Sequence, residues 1–169
     1  MAYLSIIEYP DPRLRECSEP VTIFDAELGQ LVDDLVETLH ATKAIGLSAP
    51  QANVFRQVLV TDLSGNASDP QVYINPEILA KSVPGLVEES CLSVPGVVGN
   101  VVRATQVRVR AQDRSGKTFE SNLEGMHAVC VQHEMDHLVG KLFVDRLSWF
   151  RRLRLRASAA RAPSRGAKQ

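Results

Sequence analysis

The pentapeptide His133-Glu134-Met135-Asp136-His137 carries the strongest chemical signal in the chain. Residues four apart on an α-helix project from one face, so the two imidazoles can converge on a single cation. Glu134 flanks the pair and can reach a metal-bound water without ligating the metal itself. Two ligands are too few, because a catalytic site of this kind takes three from the protein and leaves one position for water. By residue type the third could come from Cys91, Cys130, Glu88, Glu89, His127 or His40.

These candidates differ in setting. Cys130 lies three residues before His133 and, with Met126 and Val129, forms a stripe more typical of core than of ligation. His127 points to another helical face and reads as a surface or hydrogen-bonding histidine. His40, near the end of the first helix, most simply caps or solvates that end. Cys91 lies in the loop-like stretch Glu88-Glu89-Ser90-Cys91-Leu92-Ser93-Val94-Pro95-Gly96. The residues alone leave it open between a ligand and a half-buried thiol.

The elements that must hold these groups follow from periodicity. Phe24, Leu28, Leu31, Val32, Leu35, Val36 and Leu39 share one face of a helix predicted over 24–42. A loop follows over 43–53. Short strands are predicted at 58–60 and 72–74, separated by the turn-rich stretch 64–70. Alternation over 107–111, a turn at 113–116 and a strand at 117–123 make a hairpin. A second helix is predicted over 126–139, with Gly140 suited to its C-terminal cap. Strands followed by a helix packed on them argue for an α+β domain.

At 169 residues the chain fits one domain with a sizeable core. No apolar run approaches the roughly 20 residues of a membrane-spanning helix, and the N-terminus lacks the basic start of a signal peptide. Three scattered cysteines make no disulfide framework, so a reducing, cytoplasmic setting is expected. Charge is uneven. From residue 147 onward there are 7 of the 19 Lys and Arg residues and none of the 20 acidic ones. The reading is an acidic body, residues 1–148, and a basic tail, residues 149–169, able to meet an anionic partner.

Three separated segments resemble the signature motifs of peptide deformylases. They are Ala44-Ile45-Gly46-Leu47-Ser48-Ala49-Pro50-Gln51, Glu89-Ser90-Cys91-Leu92-Ser93, and Gln132-His133-Glu134-Met135-Asp136-His137-Leu138-Val139-Gly140. Their order and separation match as well, and the opening Tyr9-Pro10-Asp11-Pro12-Arg13-Leu14-Arg15 is similar to that family's N-terminus. The resemblance implies short antiparallel sheets and a hairpin packed around a central metal-binding helix. It implies a hydrolase that removes the N-formyl group from the methionine of new polypeptides and releases formate.

It also assigns roles. Cys91, His133 and His137 become the metal ligands, with Fe2+ the expected ion and Zn2+, Ni2+ or Co2+ as substitutes. Glu134 becomes the general base, and the Gln51 side-chain amide with the Leu92 backbone N–H become donors to the oxygen that gains charge. Substrate backbone would pair along 44–46, where Gly46 permits close approach. The methionine side chain would enter among Ile45, Leu92, Met126, Val129, Cys130 and His133. Glu89 and Arg103 match positions that pair, which implies a structural salt bridge.

Four positions depart from the common family form. Ala44 and Ser90 stand where glycine is usual, Ser48 replaces an alanine, and Val98 replaces an arginine at the cleft mouth. Ser90 adds bulk at the substrate site, beside the metal ligand. These departures leave room for a homologue with reduced or shifted amidase specificity. A metallopeptidase would share the helix motif without needing the other two segments. A non-catalytic ribosome-binding module would need only the tail, whose docking to the ribosome is also the partner expected beyond the formylated substrate.

Overall fold

The computed structural model describes residues 3–159, so 160–169 of the basic tail lie outside it. Helix α1, Ala26–Thr42, starts where Asp25 accepts the backbone N–H of Leu28, and ends at Lys43 in the left-handed conformation. Its apolar stripe is the predicted one, with Leu28, Val32, Leu35 and Leu39 almost wholly buried. Phe24 lies just before the helix.

Among the described residues, seven strands form two antiparallel sheets. The larger contains β1 (Gly46–Ser48), β2 (Val58–Thr61), β3 (Gln71–Lys81), β6 (Gln106–Gln112) and β7 (Thr118–Glu124), in the order β1-β2-β3-β6-β7. The predicted strand at 72–74 is only the start of β3, an 11-residue strand. The β6–β7 hairpin was legible in the sequence. Its turn is held by the Asp113 carboxylate, which accepts from the backbone of Ser115 and Lys117.

The smaller sheet corrects the reading of the Cys91 region. β4 (Pro84–Cys91) and β5 (Val94–Ala104) form a hairpin, so Cys91 is the last residue of a strand and not part of a loop. One face of this hairpin is buried, through Glu89, Val101 and Arg103.

Helix α2, Gly125–Leu138, runs through the middle. Its residues from Ala128 to Glu134 are all buried, which explains why it shows so little amphipathic contrast. It packs on β1, β2 and the hairpin, and therefore brings both sheets to one place. Gly140 follows it at a φ of 66°, and a Cβ there would collide with the carbonyl oxygen of Arg15. Only glycine satisfies both conditions.

Candidate metal centre

Helix α2 places His133 and His137 one turn apart, with their ring centroids separated by 5.1 Å. Cys91 approaches from the end of β4, its Sγ 3.3 Å from His137 Nε2. The ligand atoms of Cys91, His133 and His137 all lie within 4.8 Å of one another. That spacing and the S, N, N donor set suit one tetrahedral cation.

The tautomer of His133 is set from behind. Its Nδ1 lies 2.8 Å from Glu89 Oε2, which leaves Nε2 for the centre. Glu89 is gripped in turn by Arg103, whose Nε and Nη2 reach its two oxygens at 2.7 and 3.1 Å. The expected Glu89–Arg103 pair is thus present and buried.

The surroundings of His133 favour a positive charge, which either a proton or a metal ion at Nε2 can supply. Burial opposes charge on His133, yet the Cys91 sulfur and the Glu89 carboxylate outweigh it and push its pKa up to about 10. His137 goes the other way, because burial and then the neighbouring His133 charge drive it well below the ordinary histidine value. A neutral imidazole keeps its lone pair for a metal.

Glu134 is buried on the same helix, and its Oε2 finds no hydrogen-bond partner among the described residues. Burial pushes its carboxyl pKa up, against the His133 charge and the Ser48 hydroxyl. Gln51 arrives on the short 3-10 helix Ala49–Ala52 that follows β1. Its Nε2 lies 3.6 Å from Cys91 Sγ and 3.2 Å from Ser93 Oγ. Its Oε1 accepts from both the backbone N–H and the hydroxyl of Ser48.

A cleft of about 560 Å³ opens onto the group. It is lined by Ile45, Gly46, Gln51, Ser90, Cys91 and Leu92 on one side of the sequence pattern, and by Met126, Val129, Cys130, His133 and Glu134 from α2. Every predicted substrate residue therefore borders one space. His137 lies deeper, 1% exposed. β1 is the edge strand of its sheet, and the Ile45 carbonyl accepts from Asp62 N–H at 3.0 Å. Alternation along an antiparallel strand then turns the peptide groups of Gly46 away from β2.

The Gly46 position is also crowded from behind. A Cβ there would sit 2.5 Å from Cys130 Sγ and 2.7 Å from Glu134 Oε1. Its lack of a side chain lets β1 lie against α2.

The chain belongs to the polypeptide deformylase family. The family model matches residues 3–152. Peptide deformylases from Hahella chejuensis and Pseudomonas aeruginosa are 49% and 50% identical over 157 and 158 residues, covering 92% of this chain and 94% of each relative. A crystal structure of the Legionella pneumophila peptide deformylase superposes with a TM-score of 0.89 at 43% identity, covering 96% of this chain and all of that one. As a member of this family, the chain is a metal-dependent hydrolase acting on the N-formyl group of new polypeptides, and Cys91, His133 and His137 form a metal site typical of deformylases.

The other candidates fall elsewhere. Cys130 is buried, its thiol 3.4 Å from the Ile45 carbonyl, but Met126 in the same stripe is 54% exposed at the cleft and is not core. His127 meets Thr61 Oγ1 and Tyr73 Oη, as a hydrogen-bonding histidine should. His40 pairs with Asp62 at 2.9 Å instead of simply capping its helix. Glu88 borders the cleft but is not among the grouped ligands. Of the four departures, Ala44 and Ser90 border the cleft, whereas Val98 pairs across from Ser90 and faces solvent.

Sequence reasoning overlooked Ser48 as the holder of Gln51, although Ser-x-x-Gln is the spacing of a capping box. It also overlooked Asp136 and Arg146. No sequence signal marks Arg146, because its partner Asp136 lies 10 residues back on a different element.

Proposed function

We propose that deformylation here runs on Cys91, His133 and His137 as metal ligands, Glu134 as general base, and Gln51 with the Leu92 N–H as donors to the oxyanion. The observation that carries this reading is the three-donor group within 4.8 Å, bordered by Gln51 and Glu134 in one cleft. A thiolate with two imidazoles accepts Fe2+, which we take as the native ion, and also Zn2+, Ni2+ or Co2+. A cation held by Cys91, His133 and His137 would polarise the carbonyl and acidify the attacking water.

The residues divide the remaining work. Glu134, with its raised pKa and open oxygen, takes the proton of the attacking water and returns it to the leaving amine. Gln51 turns its amide N–H toward the reacting carbonyl oxygen because Ser48 occupies its own oxygen. The Leu92 N–H supplies the second donor. The substrate lies extended along Gly46, whose peptide groups are turned outward, and its methionine enters between Ile45, Met126, Val129 and Cys130. Ser90 narrows the approach to Cys91.

The body, residues 1–148, performs this chemistry in the cytoplasm, a setting supported by three free cysteines. No helix of the described residues is long and apolar enough to cross a membrane. The tail, residues 149–169, docks on the ribosome. Its helix α3, Trp149–Ala159, supports this with exposed Trp149, Phe150 and Leu153 beside a run of arginines.

Formate release from a formyl-methionyl peptide, measured anaerobically, tests the core of the reading. Rapid release, with an acetylated peptide cleaved far more slowly, is the expected result. Cleavage at internal peptide bonds without formate would point to a metallopeptidase instead.

A further inference from the structure

Behind His133 a line of ion pairs runs out to the surface. Glu89 Oε2 meets His133 Nδ1 at 2.8 Å, Arg103 holds Glu89, and Arg103 Nη1 donates to Asp136 Oδ2 at 2.6 Å. Arg146 then closes the line, its Nε on Asp136 Oδ2 at 2.8 Å and its Nη2 on Oδ1 at 2.7 Å. The side chains of Arg103 and Glu89 are 2% and 5% exposed, Asp136 is 12% exposed, and Arg146 is 40% exposed.

We propose that Arg146 is a positioning residue for the metal centre, acting through Asp136, Arg103 and Glu89 on the ring of His133. The inference rests on the reading of Cys91, His133 and His137 as ligands.

Charge balance is the reason. Two buried carboxylates, Glu89 and Asp136, share the single buried guanidinium of Arg103. Arg146 supplies the second positive charge and makes the set neutral. Without it, Asp136 leans on Arg103 alone, in competition with Glu89. An uncompensated buried carboxylate is costly, so the network shifts or admits water. Either change loosens Glu89, and Glu89 fixes which nitrogen His133 presents and at what angle. Asp136 also lies between His133 and His137 on α2, so its anchor steadies the backbone that carries both.

The neighbouring Arg15–Asp145 pair gives a control. Arg15 reaches Asp145 and the Gly140 carbonyl, in the same surface region, but bonds to none of the four linked residues.

The test uses Co2+ as probe on the full-length protein, reading affinity by chelator competition and geometry by visible absorption. Removing a direct partner of a ligand typically costs 10–100-fold in affinity. Arg146 acts further out, so Arg146→Gln should lower Co2+ affinity about threefold to tenfold and alter the cobalt bands. Arg146→Lys should restore most of both, and Arg15→Ala should move neither, even if it melts earlier. Arg146→Met keeps the packing of the stem and serves the same comparison if Arg146→Gln does not fold. Wild-type affinity and bands in the Gln or Met variant would overturn the inference while leaving the ligand reading intact. If the wild type itself showed no thiolate-to-cobalt absorption, or His137→Ala bound Co2+ as well as wild type, the ligand reading would fall first.

Discussion

Ser48 gives both its backbone N–H, at 2.9 Å, and its hydroxyl, at 2.8 Å, to the same oxygen of Gln51. The amide therefore cannot flip without losing two bonds, and its N–H group stays turned toward Cys91. Gln51→Ala should lower kcat by about 10²–10³, the usual loss for an oxyanion donor. Ser48→Ala keeps the backbone bond and loses one neutral hydrogen bond, worth about 1 kcal/mol, so kcat should fall about fivefold. Steady-state kinetics on a formyl-methionyl peptide compare the two. Equal losses would mean that the Ser48 hydroxyl does more than hold Gln51.

Alanine in place of Cys91, His133 or His137 should abolish metal retention and activity together. Two remaining donors cannot fix a catalytic ion. Metal analysis of the purified variants is the check, and full stoichiometric metal with normal turnover in Cys91→Ala would remove that residue from the site.

Glu134→Gln should separate the two properties. The variant keeps its ion, since Glu134 is no ligand, and loses about 10²–10⁴-fold in rate as a missing general base does. Turnover within about threefold of wild type would rule out the assigned role.

Acid should act through Asp62. The Ser64 hydroxyl, the backbone N–H groups of Ser64 and Asp69, and His40 hold its pKa down to about 2, against the effect of burial. A carboxylate depressed on folding contributes stability above its unfolded value near 3.9, and that contribution is lost as pH falls through about 2. Asp62→Asn should be less stable than wild type at pH 6, and the gap should close toward pH 2. Denaturant melts at the two pH values measure it; a gap independent of pH would show that the carboxylate charge is not what matters.

Truncation after Ser148 should leave activity on a short peptide nearly unchanged and weaken ribosome co-sedimentation at low salt. In the full chain that association should fall steeply as salt rises. Leu155 packs on the cluster around Phe143 and Leu147, so the truncated body should also melt somewhat earlier. Undiminished co-sedimentation of the truncated protein would leave the tail with a structural role alone.

The parts of this fold that were legible in the sequence are those whose burial is apolar and regular. Helix α1 and the β6–β7 hairpin announce themselves because Leu35 or Val109 alternates with solvated charge. The β4–β5 hairpin does not, because its inner face carries Glu89 and Arg103, which are buried by pairing with each other and with His133 and Asp136. Polar residues inside break the period that marks a strand. The His133–His137 pair was legible because its spacing is local. Gln51 lies 40 positions from Cys91, so no local pattern can reveal that they meet, and only the resemblance pointed to it. Arg146 had neither signal.

The crowding at Gly46 has a bearing on redesign of the cleft. A methyl group at position 46 would strike the sulfur of Cys130 and the carboxylate of Glu134. A smaller side chain at 130 would clear the sulfur, but the carboxylate cannot yield without losing its aim. Trimming position 130 leaves the Glu134 contact in place, so an alanine at 46 displaces that carboxylate whatever stands at 130, and the pocket can be reshaped at 130 only with glycine kept at 46.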